Sequence, residues 1–234
     1  MGGFQWTDAS IRWMQNASNR SGYYQTIAER IAAYLPPFSR VFDAGGGLGD
    51  LAIWLSHYIE HVTVIEQNVK AVAAFRARCP QNVTAMLGDV FSYVPDVLYD
   101  ALVLCFFGKP DQILKLSAEL TRGKTFVVQS CDTTRGFSLD ETAKRSITIY
   151  DLEEAVKQQG IPYSLEEFEV EHGQPFTSLD DAVDFFSYYD RKAYAPEQVL
   201  PHLNETGDAD FPYYFSKIRR LGLMTYETGR LQQS

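Results

Sequence analysis

Cysteine, histidine and basic residues are all scarce in this sequence. Three cysteines, Cys79, Cys105 and Cys131, stand among 234 residues. So small and odd a number builds no disulfide framework and fits a reducing compartment. There are four histidines, and no His/Cys/Asp spacing reads as a metal site, so no metal is expected. No run approaches the roughly 20 apolar residues of a membrane span. Residues 1–8 show neither the basic nor the apolar region of a secretory leader, and Trp6 breaks the lipidation pattern that Met1-Gly2 opens. The expectation is a cytoplasmic protein with no membrane partner. Lysine and arginine total 21 against 30 Asp and Glu, a formal net charge of −9. Such a surface repels long phosphate polymers, so nucleic acid is not the expected partner; Lys217, Arg219 and Arg220 form the best local basic cluster.

What is present is the composition of a globular chain, 45% hydrophobic and 22% charged. The length supports one large-cored domain with an appended element. Residues 1–39 read as helices. Ile11 and Met14 start one apolar face, and Tyr24, Ile27, Ile31 and Leu35 form a second that ends at Pro36-Pro37. From Arg40 strands and helices alternate. Strands are expected at Val41–Ala44, His61–Glu66, Val83–Leu87, Asp100–Phe106 and Thr125–Val128. Helices are expected between them, over Leu48–Tyr58, Asn68–Arg78 and Pro110–Leu120. Apolar strands separated by helices imply a parallel sheet covered on both faces, a doubly wound α/β fold. A helix over Ile149–Gln159 follows, then a strand over Tyr163–Val170, helical segments over Leu179–Tyr189 and Pro196–Leu203, and a last strand over Leu221–Tyr226. The two late strands are too far apart for a tight hairpin but can still pair.

The most informative stretch is Asp43-Ala44-Gly45-Gly46-Gly47-Leu48-Gly49, where the first strand turns into its helix. Glycines there permit close backbone approach, and a helix start offers free amides. The dinucleotide fingerprint fails because its sixth position is Asp50, and the Gly-Lys-Ser/Thr of a phosphate loop is absent. Acids also end the second strand, at Glu66, and follow the third, at Asp89. Each feature alone reads equally as a tight turn or a solvated acid.

Together, Asp-x-Gly-x-Gly-x-Gly with Glu66 and Asp89 resembles the class I S-adenosylmethionine-dependent methyltransferases over roughly residues 40–128. The resemblance implies a Rossmann-like sheet of seven strands with an antiparallel late pair, N-terminal helices, and a helical insertion between the last two strands. It divides the chain into a lid over residues 1–39 and a methyltransferase domain over 40–234, with the insertion at about 178–215. It implies S-adenosylmethionine as cofactor and S-adenosylhomocysteine as product. The implied cofactor contacts are Asp43, Ala44, Gly45, Gly46, Gly47, Gly49, Glu66, Gln67, Gly88, Asp89, Val90 and Cys105. Asp43 would meet the cationic methionyl part, Glu66 the ribose hydroxyls and Asp89 the adenine amino group. The Asn/Asp-Pro-Pro-Tyr/Phe signature of amino-group methylation is replaced by Cys105-Phe106-Phe107-Gly108.

A small-molecule acceptor is therefore expected; an RNA or protein methyltransferase, or a cofactor-binding partner subunit without activity, is the alternative. Ligands of open α/β sheets sit beyond the carboxyl ends of the strands. Phe106 and Phe107 are candidates for the acceptor pocket, with Trp13, Tyr23, Tyr24 and Tyr213 if the helical segments reach it. The same aromatic residues at helical spacing also suit a core. His172, in Glu171-His172-Gly173, is the candidate base, and reads equally as a strand-end residue.

Overall fold

The computed structural model describes residues 5–140, 142–143 and 147–228. The chain opens with helices α1 (Asp8–Arg20) and α2 (Tyr23–Ala32). It continues through β1 (Arg40–Ala44), α3 (Asp50–Leu55), β2 (His61–Glu66), α4 (Val69–Arg76), β3 (Val83–Leu87), β4 (Tyr99–Cys105), α5 (Pro110–Leu120) and β5 (Thr121–Ser130). After α6 (Ile149–Gln158) come β6 (Tyr163–Glu171), β7 (Gln174–Phe176), α7 (Leu179–Asp190), α8 (Pro196–Val199), β8 (Asn204–Glu205), β9 (Tyr213–Phe215) and β10 (Ile218–Glu227).

Local chemistry fixes the helix starts. Thr7 and Ser10 exchange side-chain and backbone bonds at the head of α1. The Asn68 side chain accepts from the amides of Lys70 and Ala71 at the head of α4. Pro110 opens α5 with the φ a first helical turn needs. Caps of this kind contribute about 1 kcal/mol each.

Two compact units are formed by separate stretches of the chain. The first draws on residues within 24–131, 147–168 and 220–234. Its centre is a seven-stranded sheet in the order β3-β2-β1-β4-β5-β10-β6. β1 lies parallel to both β2 and β4, with Asp43 opposite Val64 on one side and Val103 on the other. β10 runs antiparallel to β5. Phe42, Leu102, Leu104, Val127 and Met224 are buried against Ile113, Leu116 and Leu120 of α5 and Ile149, Leu152 and Val156 of α6. The parallel strands put the C-terminal ends of β1, β2, β3 and β4 at one edge, which is where the sequence places its acids.

The second unit draws on residues within 1–23, 132–146 and 169–219. Its core is aromatic: Trp13, Phe137, Phe176, Phe185, Phe186 and Phe215. Asp181, 7% exposed, ties it together. One oxygen accepts from Trp13 Nε1 at 2.8 Å and Arg12 Nη2 at 2.6 Å. The other accepts from the Thr177 amide and hydroxyl, each at 3.2 Å. Between α7 and β10 the chain also forms β8 and β9, and β9 pairs antiparallel with both β7 and β8 in a small sheet. Strands of two or three residues carry no readable alternation, so the sequence reading gives only helices there. The helix expected over Leu48–Tyr58 is cut to Asp50–Leu55 because Gly49, at φ +75°, starts it late. The strand expected at Thr125–Val128 runs from Thr121 to Ser130, all of it except Arg122 shielded from solvent at least in part.

Among the described residues no helix is long and apolar enough to cross a membrane. Replacing Asp181 leaves the Trp13 N–H and the Thr177 groups without their shared acceptor. Asp181→Ala is expected to cost about 3 kcal/mol in urea unfolding; a loss below about 1 kcal/mol would remove Asp181 from this role.

Candidate functional site

β1 delivers Asp43 to its C-terminal end as a fully enclosed carboxylate, 1% exposed. Neither of its oxygens has a hydrogen-bond partner among the described residues. Burial, aided by the nearby Glu66 charge, raises its pKa to about 7. A polar group enclosed in this way is costly unless a ligand or water completes it. The glycine bend folds directly over it. The Gly45 and Gly46 amides both donate to the Ile65 carbonyl, at 2.9 and 3.3 Å, turning the chain back toward β2. A Cβ on Gly46 would stand 2.4 Å from Val64 Cγ1 and 2.9 Å from Asp43 Oδ2, so no side chain fits there. At Gly49 the left-handed backbone and the Phe75 ring, 2.2 Å from a would-be Cβ, both demand glycine.

Glu66, at the end of β2, accepts from the Gly47 amide through Oε2 at 3.1 Å and from the Asn68 amide through Oε1 at 2.8 Å. Two backbone donors thus fix the carboxylate beside the bend, and each oxygen retains a further lone pair. After β3 the Gly88 amide donates to the Glu66 carbonyl at 3.0 Å. Asp89 is exposed and caps a short 3₁₀ turn, accepting from the Phe91 amide at 3.0 Å. Val90 is buried beneath it, and Gln67 is exposed.

After β4, Cys105 has its thiol pKa raised by burial first and by the Asp43 charge second. None of the three cysteines is joined in a disulfide. Phe106 follows with φ 53°, a left-handed conformation uncommon for a bulky residue. Phe107 lies over the bend, its ring 2.2 Å from where a Gly45 Cβ would stand, and pairs with Phe91 at 6.0 Å between ring centroids. One unit therefore brings Asp43, the glycines, Glu66, Cys105 and Phe107 together, with Ala44 fully buried behind them. Tyr24, partly buried, belongs to the same unit.

Trp13, Tyr23, His172 and Tyr213 belong to the other unit. Trp13 and Tyr23 are buried there, and Tyr213 is partly buried in β9. His172 is 3% exposed, stacked on Tyr23 at 3.9 Å and 14°, with Phe137 tilted 5.1 Å away. Burial, and then the charge of Arg219, lowers its pKa to about 3. It is a weak proton acceptor.

Arg78 is a contributor that sequence reasoning missed. Its guanidinium donates to Asp50 Oδ1 and to the Leu48 carbonyl, each at 2.7 Å, and so pins the far side of the bend. Asp50, the residue that breaks the dinucleotide pattern, is 5% exposed and serves this ion pair.

A histidine kept neutral by burial supports the fold fully above its unfolded pKa of about 6.5 and loses that contribution as pH falls toward about 3. His172→Phe should therefore gain stability relative to the parent between pH 6.5 and 3 in urea titrations, with a constant difference above pH 7. A difference independent of pH would contradict the assigned state.

No protein-family model matches the sequence, and no curated protein does. Solved structures match its fold. A protein of Bacillus halodurans C-125 described as a candidate methyltransferase is 13% identical, with a TM-score of 0.54 covering 87% of this chain and 98% of that one. The precorrin-6y C5,15-methyltransferase of Geobacter metallireducens GS-15 is 12% identical, with a TM-score of 0.51 and 86% of each chain covered. The magnesium protoporphyrin IX methyltransferase of Synechocystis PCC 6803, solved with bound S-adenosylhomocysteine, is 13% identical, with a TM-score of 0.50 over 95% and 89% of the two chains. This chain has the fold of the class I S-adenosylmethionine-dependent methyltransferases.

Proposed function

We propose that the protein is an S-adenosylmethionine-dependent methyltransferase acting on a small-molecule acceptor. The observation that carries this reading is Asp43: an enclosed carboxylate without a partner among the described residues, under a glycine bend and beside a second fixed carboxylate. That donor set fits a ligand with a positive charge and hydroxyl groups and no phosphate. Bound S-adenosylmethionine supplies a methyl group already activated on a sulfonium sulfur. Asp43 would take the charge of its ammonium, directly or through water. Glu66 would accept from the ribose hydroxyls, its orientation set in advance by the Gly47 and Asn68 amides. Asp89 would meet the adenine amino group, with Gly88, Val90 and Gln67 around the ring. Phe106 and Phe107 would face the acceptor and keep water from it.

An in-line displacement on an activated methyl needs alignment more than acid–base work. An acceptor that is nucleophilic at working pH needs no base, which accords with the weak proton affinity of His172. A nucleic-acid acceptor is less well served. The Lys217–Arg220 cluster does not present a basic patch, because Arg220 is paired with Glu167 at 2.7 Å and Arg219 is half-buried over the Phe137 ring.

Calorimetric titration with S-adenosylhomocysteine tests the site. Asp43→Asn and Glu66→Ala are each expected to weaken binding at least about tenfold, or 1.4 kcal/mol, while circular dichroism shows an intact fold. Unchanged affinity in both variants would overturn the reading. The acid's own linkage gives a ligand-free check. A carboxyl raised to about 7 contributes stability present below its unfolded pKa of about 4 and lost as pH rises through 7. Asp43→Asn should therefore gain on the parent in unfolding measurements from pH 4 to 8.

A further inference from the structure

Among the described arginines without an ion pair, Arg219 is the one whose Nε is buried and lacks a hydrogen-bond partner. Arg12, Arg20, Arg30, Arg78, Arg122 and Arg220 each pair with a carboxylate. Arg219 pairs with none among the described residues, and its Nε is buried without a hydrogen-bond partner. This occurs in a chain with 30 acidic residues against 21 basic ones, where a carboxylate partner is easily supplied. A partly buried guanidinium carries a desolvation cost that an ion pair normally offsets.

Its surroundings are built and specific. The guanidinium carbon lies 4.9 Å over the Phe137 ring, and Phe137 packs 5.6 Å from Tyr189 and 5.1 Å from His172. A Cβ on Gly136 would stand 1.2 Å from Arg219 Nη1, so the guanidinium lies directly against the Gly136 backbone and would have to shift for any side chain there. The Arg219 charge acts on both His172 and Tyr189, opposing protonation of the first and favouring ionisation of the second.

We propose that Arg219, held over Phe137 and flanked by His172 and Tyr189, binds the carboxylate of a small aromatic or otherwise planar acid. One guanidinium in a fixed fork matches one carboxylate bidentately, and the surrounding rings suit an apolar body. A phosphate dianion would keep an unmatched charge in an environment that penalises it. This assignment stands on one unit alone and is independent of the methyl-transfer reading.

The test is calorimetric titration of the full chain with benzoate and indole-3-acetate, against benzamide as the neutral counterpart and inorganic phosphate as the other anion. Both acids are expected to bind and to raise the melting temperature, and benzamide and phosphate are not. Arg219→Gln and Gly136→Ala should each weaken the acids at least about tenfold. Without ligand, Arg219→Gln should melt no lower than the parent, whereas a purely structural cation–π contact would make it melt lower. If Arg219→Gln does not fold, that outcome counts against the proposal and Gly136→Ala still reads the binding. Failure of both acids to bind, equal binding of benzamide, preference for phosphate, or unchanged affinity in the folded variants would overturn it.

Discussion

The candidate site depends on one unfavourable arrangement, a carboxylate closed off from water next to another carboxylate. Asp43 sits between two parallel neighbours in the middle of the sheet, next to the apolar Val41, Phe42 and Ala44 of its own strand. Enclosure and the Glu66 charge push it toward its protonated form. Such a group is retained only where something rewards its charged state, and an incoming cation does so. The other features serve that placement. The bend contributes amides for Glu66 and bare backbone above Asp43, and the Arg78 ion pair holds the bend closed from behind.

The two compact units use different physics. The sheet unit is aliphatic and regular, and its polar groups gather at the strand ends. The second unit is held by T-shaped aromatic pairs, such as Trp13 with Phe185 and Phe185 with Phe186, and by Asp181, which gathers donors from two stretches of chain. Ring geometry of this kind adds about 1 kcal/mol per pair beyond area burial. It fixes side-chain positions across a unit assembled from three separate stretches of chain.

The sheet and its acids were legible because short-range signals mark them. Val41-Phe42 and Val62-Thr63-Val64-Ile65 are apolar enough to read as interior strands, so Asp43 and Glu66 could be located as their last or near-last residues. Asn68 announces α4 by its capping chemistry alone. Arg78 gave no signal, since its partners lie 28 and 30 residues away and only the folded bend brings them together. β8 and β9 are too short for any period to show. The cluster Lys217, Arg219 and Arg220 misled for a geometric reason. Successive residues of a strand face opposite sides, so Arg219 turns inward over Phe137 while Arg220 meets Glu167. The aromatic residues were ambiguous in sequence, and Trp13 and Tyr23 lie buried within the second unit.

The most direct test of the central claim counts protons. At pH 6.5 a carboxyl with a pKa of about 7 is largely protonated, and the ammonium of a ligand seated beside it must drive that proton off. Titrating S-adenosylhomocysteine into the protein in two buffers of different ionisation enthalpy measures the release. The account predicts a binding heat that differs between the buffers by the equivalent of a substantial fraction of one proton, and no such difference in Asp43→Asn. Binding with the same heat in both buffers, or no binding at all, would contradict it.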